Sequence, residues 1–271
     1  RTMPTIQVND VTLHYEEQGS GGETIVFVHG LLMNHHMFDA QVEALRTHYR
    51  CVAVDLRGQG KSEVTRSGYD MDNLTADIAA LIEALNCGPC HFVGLSMGGF
   101  IGMRLAITHP HLLRSLSLLE TSADPEPQEN VPRYKLLAFI GKWFGFRLLT
   151  GRVMPILFGR DFLTDESKKE VREYWIREIS NNNRPGTVRA AMAVIKREGV
   201  YQRLGEINTP TLIIVGDQDV ATTPVKARRM HAAIRDSKLL VIPGAGHSSS
   251  IETPGEVTRA LGEFISGCVD V

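Results

Sequence analysis

Short continuous apolar runs, separated by segments of helical period, constrain this chain more than any other feature. The runs are Ile25-Val26-Phe27-Val28, Cys51-Val52-Ala53-Val54, His91-Phe92-Val93-Gly94, Leu116-Ser117-Leu118-Leu119, Leu212-Ile213-Ile214-Val215 and Leu239-Leu240-Val241-Ile242. Runs of this length suit strands buried on both faces, the environment of a parallel sheet. Between them lie amphipathic segments. The clearest sets Leu74, Ile78, Leu81, Ile82 and Leu85 on one helical face, with Asp72 placed to cap its start. Ahead of the first run, Thr5 to Val8 and Val11 to Tyr15 flank Asn9-Asp10 and read as a hairpin. The alternation predicts an α/β fold with a mostly parallel, eight-stranded sheet flanked by helices.

The rhythm stops after Leu119. A polar turn, Asp124-Pro125-Glu126-Pro127, leads into helical patterns that carry both tryptophans, Trp143 and Trp175, and the strand rhythm resumes after Thr209-Pro210. The expectation is a core domain built from residues 1–122 and 208–271, with a helical cap inserted at 123–207. A chain of 271 residues is long enough for one sizeable core plus such an insertion.

Gly94-Leu95-Ser96-Met97-Gly98 follows the third of these runs and opens the helical stretch from Gly99 to Thr108. A serine in a sharp strand-to-helix turn leaves no room for side chains on its neighbours, which explains the glycines on either side. Its hydroxyl is then exposed at a helix N-terminus, where free N–H groups favour developing negative charge. Ser96 is therefore the candidate nucleophile. The backbone N–H of Met97 is one candidate oxyanion donor, and that of Leu31, in the loop His29-Gly30-Leu31-Leu32, is the other. His29 itself reads as a brace for this loop.

A nucleophile turn of this kind takes its acid and base later in the chain, in the order Asp or Glu, then His. Gly216-Asp217-Gln218-Asp219 and Gly244-Ala245-Gly246-His247 each follow an apolar run. Ligands of open α/β sheets gather at those carboxyl ends. His247 is the candidate base, because no other of the ten histidines sits in a Gly-rich loop after the last strand. Asp219 is the candidate acid. Asp217, which more naturally shapes the turn, and Glu120, at the end of the preceding strand, remain alternatives.

Together with Phe27-Val28-His29-Gly30 and Asp55-Leu56-Arg57-Gly58-Gln59-Gly60-Lys61-Ser62, these motifs resemble the α/β-hydrolase superfamily. The likeness is to its branch of aryl esterases, cofactor-free haloperoxidases or perhydrolases, and enol-lactonases. It implies hydrolysis of a small to medium carboxylic ester, lactone or thioester through an acyl-enzyme, with no metal and no organic cofactor. It also leaves open a perhydrolase-like or carbon–carbon bond hydrolase activity on the same triad, and a hydrolase-fold ligand receptor. Epoxide hydrolases and haloalkane dehalogenases carry Asp at the nucleophile position, and Ser96 sets this chain apart from both.

Two motifs are decoys. Cys87-Gly88-Pro89-Cys90 has redox spacing but lies between a helix and a strand, not at a helix start, where a thiol's pKa is lowered. Gly60-Lys61-Ser62 resembles the end of a phosphate-binding loop, but Asp55 stands where its first glycine belongs. The four cysteines are too sparse for a disulfide scaffold and suit a cytoplasmic location. A net charge of −2 gives no reason to expect nucleic acid or an anionic membrane as partner. No apolar run is long enough to span a bilayer, and the start, Arg1-Thr2-Met3-Pro4, is not followed by an apolar signal region. The partner expected is a small acyl ester or lactone, with oligomeric state left open.

Overall fold

The computed structural model describes residues 4–268, so the Arg1-Thr2-Met3 start lies outside it. The expected hairpin is present as β1 (Thr5–Val8) and β2 (Val11–Gln18), turned by Asn9 at φ 47°. β2 runs past Tyr15 because its far end pairs antiparallel with β4 (Arg50–Val54). β3 (Thr24–Val28) precedes α1 (Asp39–Leu45). After β4 come α2 (Met71–Ala84), β5 (Cys90–Leu95), α3 (Met97–Thr108) and β6 (Leu113–Leu119). β7 (Thr211–Gly216) and β8 (Lys238–Ile242) complete one sheet of order β1-β2-β4-β3-β5-β6-β7-β8, parallel from β4 onward.

Alternation along each strand divides the core between the two faces of the sheet. Val26, Val28, Phe92 and Leu118 meet Leu74, Ile78 and Leu81 of α2 on one face. Ile25, Phe27, Val93 and Ile214 face the opposite layer, which includes Val42 and Leu45 of α1. One expectation is corrected here. The N-cap of α2 is Asp70, whose side chain accepts from Asn73 N–H at 3.0 Å, and not Asp72. Asp72 stands in the first turn, where its carboxylate reaches Arg104 at 3.3 Å.

Between β6 and β7 the regular elements are all helices: α4 (Val131–Phe144), α5 (Thr150–Leu157), α6 (Arg160–Thr164), α7 (Lys169–Ser180) and α8 (Arg184–Lys196), with short 3-10 turns between some of them. Phe146, Leu149, Val153, Trp175 and Ile179 of this stretch join the core on the β3–β5 side. α9 (Pro224–Ala233) precedes β8, and α10 (Ser249–Glu252) and α11 (Pro254–Ser266) end the chain's described part. No described helix is long and apolar enough to cross a membrane.

Candidate active site

Ser96 sits between the end of β5 and the start of α3 with φ 53° and ψ −108°, a backbone state that costs energy for a residue with a Cβ. Two connections hold it there. Its N–H donates to Leu119 O at 2.9 Å, and its carbonyl accepts from Thr121 Oγ1 at 2.8 Å. The turn is so tight that a Cβ on Gly98 would overlap the Val28 carbonyl, and one on Gly94 would overlap that of Gly98. The glycines at these positions are thus required by close backbone approach.

Asp219 and His247 come together across the ends of β7 and β8. His247 Nδ1 lies 2.9 Å from Asp219 Oδ2 and 3.0 Å from Oδ1, and both residues are buried. A carboxylate only accepts, so Nδ1 carries the proton and Nε2 of the neutral ring is the free base. Burial opposes the charge on Asp219. The His247 ring and the hydrogen bonds from Thr222 N–H and Oγ1 outweigh it and hold the carboxyl below the usual carboxylate range. Asp217 is exposed and accepts from Gly244 N–H at 2.8 Å, which shapes the turn that carries His247. Glu120 is fully buried and accepts from Gly216 N–H at 3.2 Å. Burial, followed by the charge of Asp219, pushes its carboxyl well above the ordinary range.

Glu252 escaped the sequence reading. One of its oxygens accepts from Gly159 N–H and Gly246 N–H, both at 2.9 Å, and the other accepts from Ser248 N–H at 3.0 Å. It therefore grips both neighbours of His247 and ties them to the helical stretch ahead of α6. Burial raises its carboxyl above the ordinary range against these donors. Glu252→Ala would strand three buried donors and is expected to destabilise the fold by roughly 3 kcal/mol or more. Urea unfolding reads the loss directly, and a midpoint within error of wild type would refute this role.

Leu31 and Met97 both belong to segments beside Ser96. His29 braces the Leu31 loop, as expected. Its Nε2 accepts from Leu56 N–H at 3.0 Å and its Nδ1 lies 2.7 Å from Gly30 O; burial lowers its pKa, against the Asp55 charge and the Gly30 carbonyl, which raise it. A second support was not anticipated. Gln59 Oε1 accepts from Leu32 N–H at 3.0 Å while its Nε2 reaches Met97 Sδ at 3.7 Å, linking the two candidate oxyanion segments. Gln59 lies in the Asp55–Ser62 motif, which was the one available signal. For Glu252 nothing in the local sequence marks it.

Ser96, Leu31 and His247 line one cavity of about 150 Å³. The helices of the 131–196 stretch supply most of its apolar wall, including Leu137, Leu149, Val153 and Leu157. An apolar space of that size accommodates a benzene-sized group. A buried ion pair, Arg197 Nη1 to Glu126 Oε2 at 2.8 Å, borders it.

Among the described residues one other cluster could in composition hold a metal: His14, His35 and Asp55, with ligand atoms within 4.8 Å of one another. Both imidazole Nδ1 atoms stand at 2.9 Å from Asp55 oxygens, which also accept from the backbone N–H of His35 and Lys61. These are hydrogen-bond separations, so the Asp55 carboxylate and both Nδ1 atoms are already engaged with one another. The cluster ties β2, β4 and the loop after β3 together. Cys87 and Cys90 are free and buried, and burial raises both thiols, Cys87 to about 11, the reverse of what a redox pair needs.

Comparison with known proteins agrees with this architecture. The family model described as alpha/beta hydrolase fold matches residues 23–254. The chain is 29% identical over 241 residues to 3-oxoadipate enol-lactonase 1 of Acinetobacter baylyi, covering 89% of this chain and 88% of that protein. It superposes on a thermophilic esterase from Thermogutta terrifontis with a TM-score of 0.91 at 28% identity, over 99% of both chains. A bromoperoxidase from Bacillus anthracis gives a TM-score of 0.87 at 25% identity, over 98% of this chain and 100% of the other. With a family match running from β3 into the start of α11, and full-length likeness to an esterase and a bromoperoxidase, this chain belongs to the alpha/beta hydrolase fold family.

Proposed function

We propose that this protein is a serine hydrolase that cleaves a small to medium carboxylic ester or lactone. Residues 1–122 and 208–271 form its catalytic core and 123–207 a helical cap. The observation that carries this reading is the pairing of His247 with Asp219 at the wall of an apolar cavity that also holds Ser96. Ser96 attacks the acyl carbon while His247 Nε2 takes its proton. Asp219 keeps the ring in the productive tautomer and stabilises the imidazolium. The N–H groups of Leu31 and Met97 receive the oxyanion. His247 returns the proton to the leaving alkoxide, and water, activated by the same base, releases the acid. In a lactone the leaving alkoxide stays tethered to the acyl group.

The esterase and enol-lactonase relatives support ester and lactone chemistry on this framework. The bromoperoxidase likeness supports a second reading, in which hydrogen peroxide replaces water at the acyl-enzyme and releases a peracid. The cavity favours a short acyl chain or an aryl group. Across p-nitrophenyl esters from acetate to decanoate, kcat/KM is expected to be highest at acetate to butyrate. By decanoate it should fall at least about tenfold, because a longer chain must displace packed cap side chains. Steady multiple turnover is the supporting result. A single burst would instead favour a ligand receptor, and a maximum at decanoate would refute the pocket size.

A further inference from the structure

The side of α4 turned away from the cavity is as apolar as the side that lines it. Leu137 and Ala138 face the cavity, while Leu136, Phe139 and Trp143, spaced i, i+3 and i+7, share the outer stripe. These three, with Phe144 and Leu148 just beyond, are between 55% and 68% exposed. Every exposed Phe or Trp among the described residues is in this patch; the other large apolar side chains at the surface are single aliphatic ones such as Val171 and Val220. A helix apolar on both sides is ordinarily covered on both. A contiguous patch of this kind marks an interaction surface.

The charges around it say what covers it. Arg133, Lys135, Lys142, Arg147 and Arg152 are all exposed, and the sequence has no Asp or Glu between Asn130 and Arg160. None of the five is within ion-pair distance of a carboxylate among the described residues. Lys142 Nζ stands 5.1 Å from the centre of the Trp143 ring, an ammonium beside an amphipathic aromatic. The overall charge of −2 conceals this local excess, so the expectation drawn from net charge does not extend to the cap. A second copy of the chain is a poor occupant: two-fold pairing would set the five cations against their own equivalents, with no carboxylate in the segment to answer them.

We propose that the outer face of α4 and the turn after it dock the protein on an anionic lipid surface. Trp143, Phe139 and Leu136 enter the headgroup region, and the flanking lysines and arginines meet lipid phosphates.

Vesicle sedimentation at low ionic strength tests this on the whole protein. Wild type is expected to partition at least about tenfold more strongly onto phosphatidylcholine vesicles carrying about a third phosphatidylglycerol than onto phosphatidylcholine alone, with the difference shrinking as salt rises. Trp143 emission should shift to the blue on binding; Trp175 is buried, so the change reports the patch. Lys135→Glu with Lys142→Glu, and separately Phe139→Ser with Trp143→Ser, should each lower anionic partitioning about tenfold or more while leaving the thermal midpoint unchanged. Absence of wild-type binding overturns the proposal, as does binding equal to that of the charge-reversed variant. A dimer by light scattering, with Trp143 already shielded from acrylamide without lipid, overturns it in favour of a second copy. Capture by polyglutamate with no vesicle binding overturns it in favour of an acidic protein.

Discussion

Ser96→Ala is expected to lower kcat for p-nitrophenyl acetate by roughly five orders of magnitude, a loss of about 7 kcal/mol of transition-state stabilisation. Thr222 and Ser248 also line the cavity, but neither stands in the strand-to-helix turn at φ 53° that opens α3. Alanine inherits the same backbone state and keeps the hydrogen bonds through Ser96 N–H and carbonyl, so the thermal midpoint should stay close to wild type. What remains above the uncatalysed rate would come from the oxyanion donors and from binding. Unchanged turnover in a folded variant would remove Ser96 from the mechanism and with it the acyl-enzyme.

The second large effect separates three acids. Asp219→Asn is expected to reduce kcat by about four orders of magnitude, near 5 kcal/mol, since an amide facing Nδ1 lets the ring hold its proton on Nε2 and lose its base. Asp217→Asn retains an oxygen for Gly244 N–H and should cost less than about tenfold. Glu120→Gln should likewise cost little, because a carboxyl already pushed up by burial and by Asp219 contributes little negative charge. Measuring kcat for the three variants side by side decides the matter. A larger drop for Asp217→Asn or Glu120→Gln than for Asp219→Asn would show that the acid is misassigned.

The elements that carry the site were legible wherever the physics is local. Each of the six apolar runs lies inside a strand; five are in inner strands, while Leu239-Leu240-Val241 of the edge strand β8 stay partly exposed because no strand lies beyond them. Ends were less legible. β2 extends through Glu16-Glu17-Gln18 because β4 lies beside it, a pairing that the polar composition of those residues hides. The cap of α2 falls on Asp70, two residues before the one expected, since either carboxylate could reach a free N–H and only the path of the incoming chain selects between them.

By itself the sequence determined the strand–helix alternation and the tight glycine-flanked turn at Ser96, both of which depend on neighbours a few residues apart. The tertiary structure decided which acid stands 2.9 Å from His247 and that Glu252 binds the backbone on both sides of it. It also decided that the outer side of α4 is left uncovered. Those outcomes depend on groups brought together from distant segments, such as the N–H of Gly159 and the carboxylate of Glu252, 93 positions later. Periodicity shows that a helix has apolar faces, but what lies against each face is set by the packing of the whole chain.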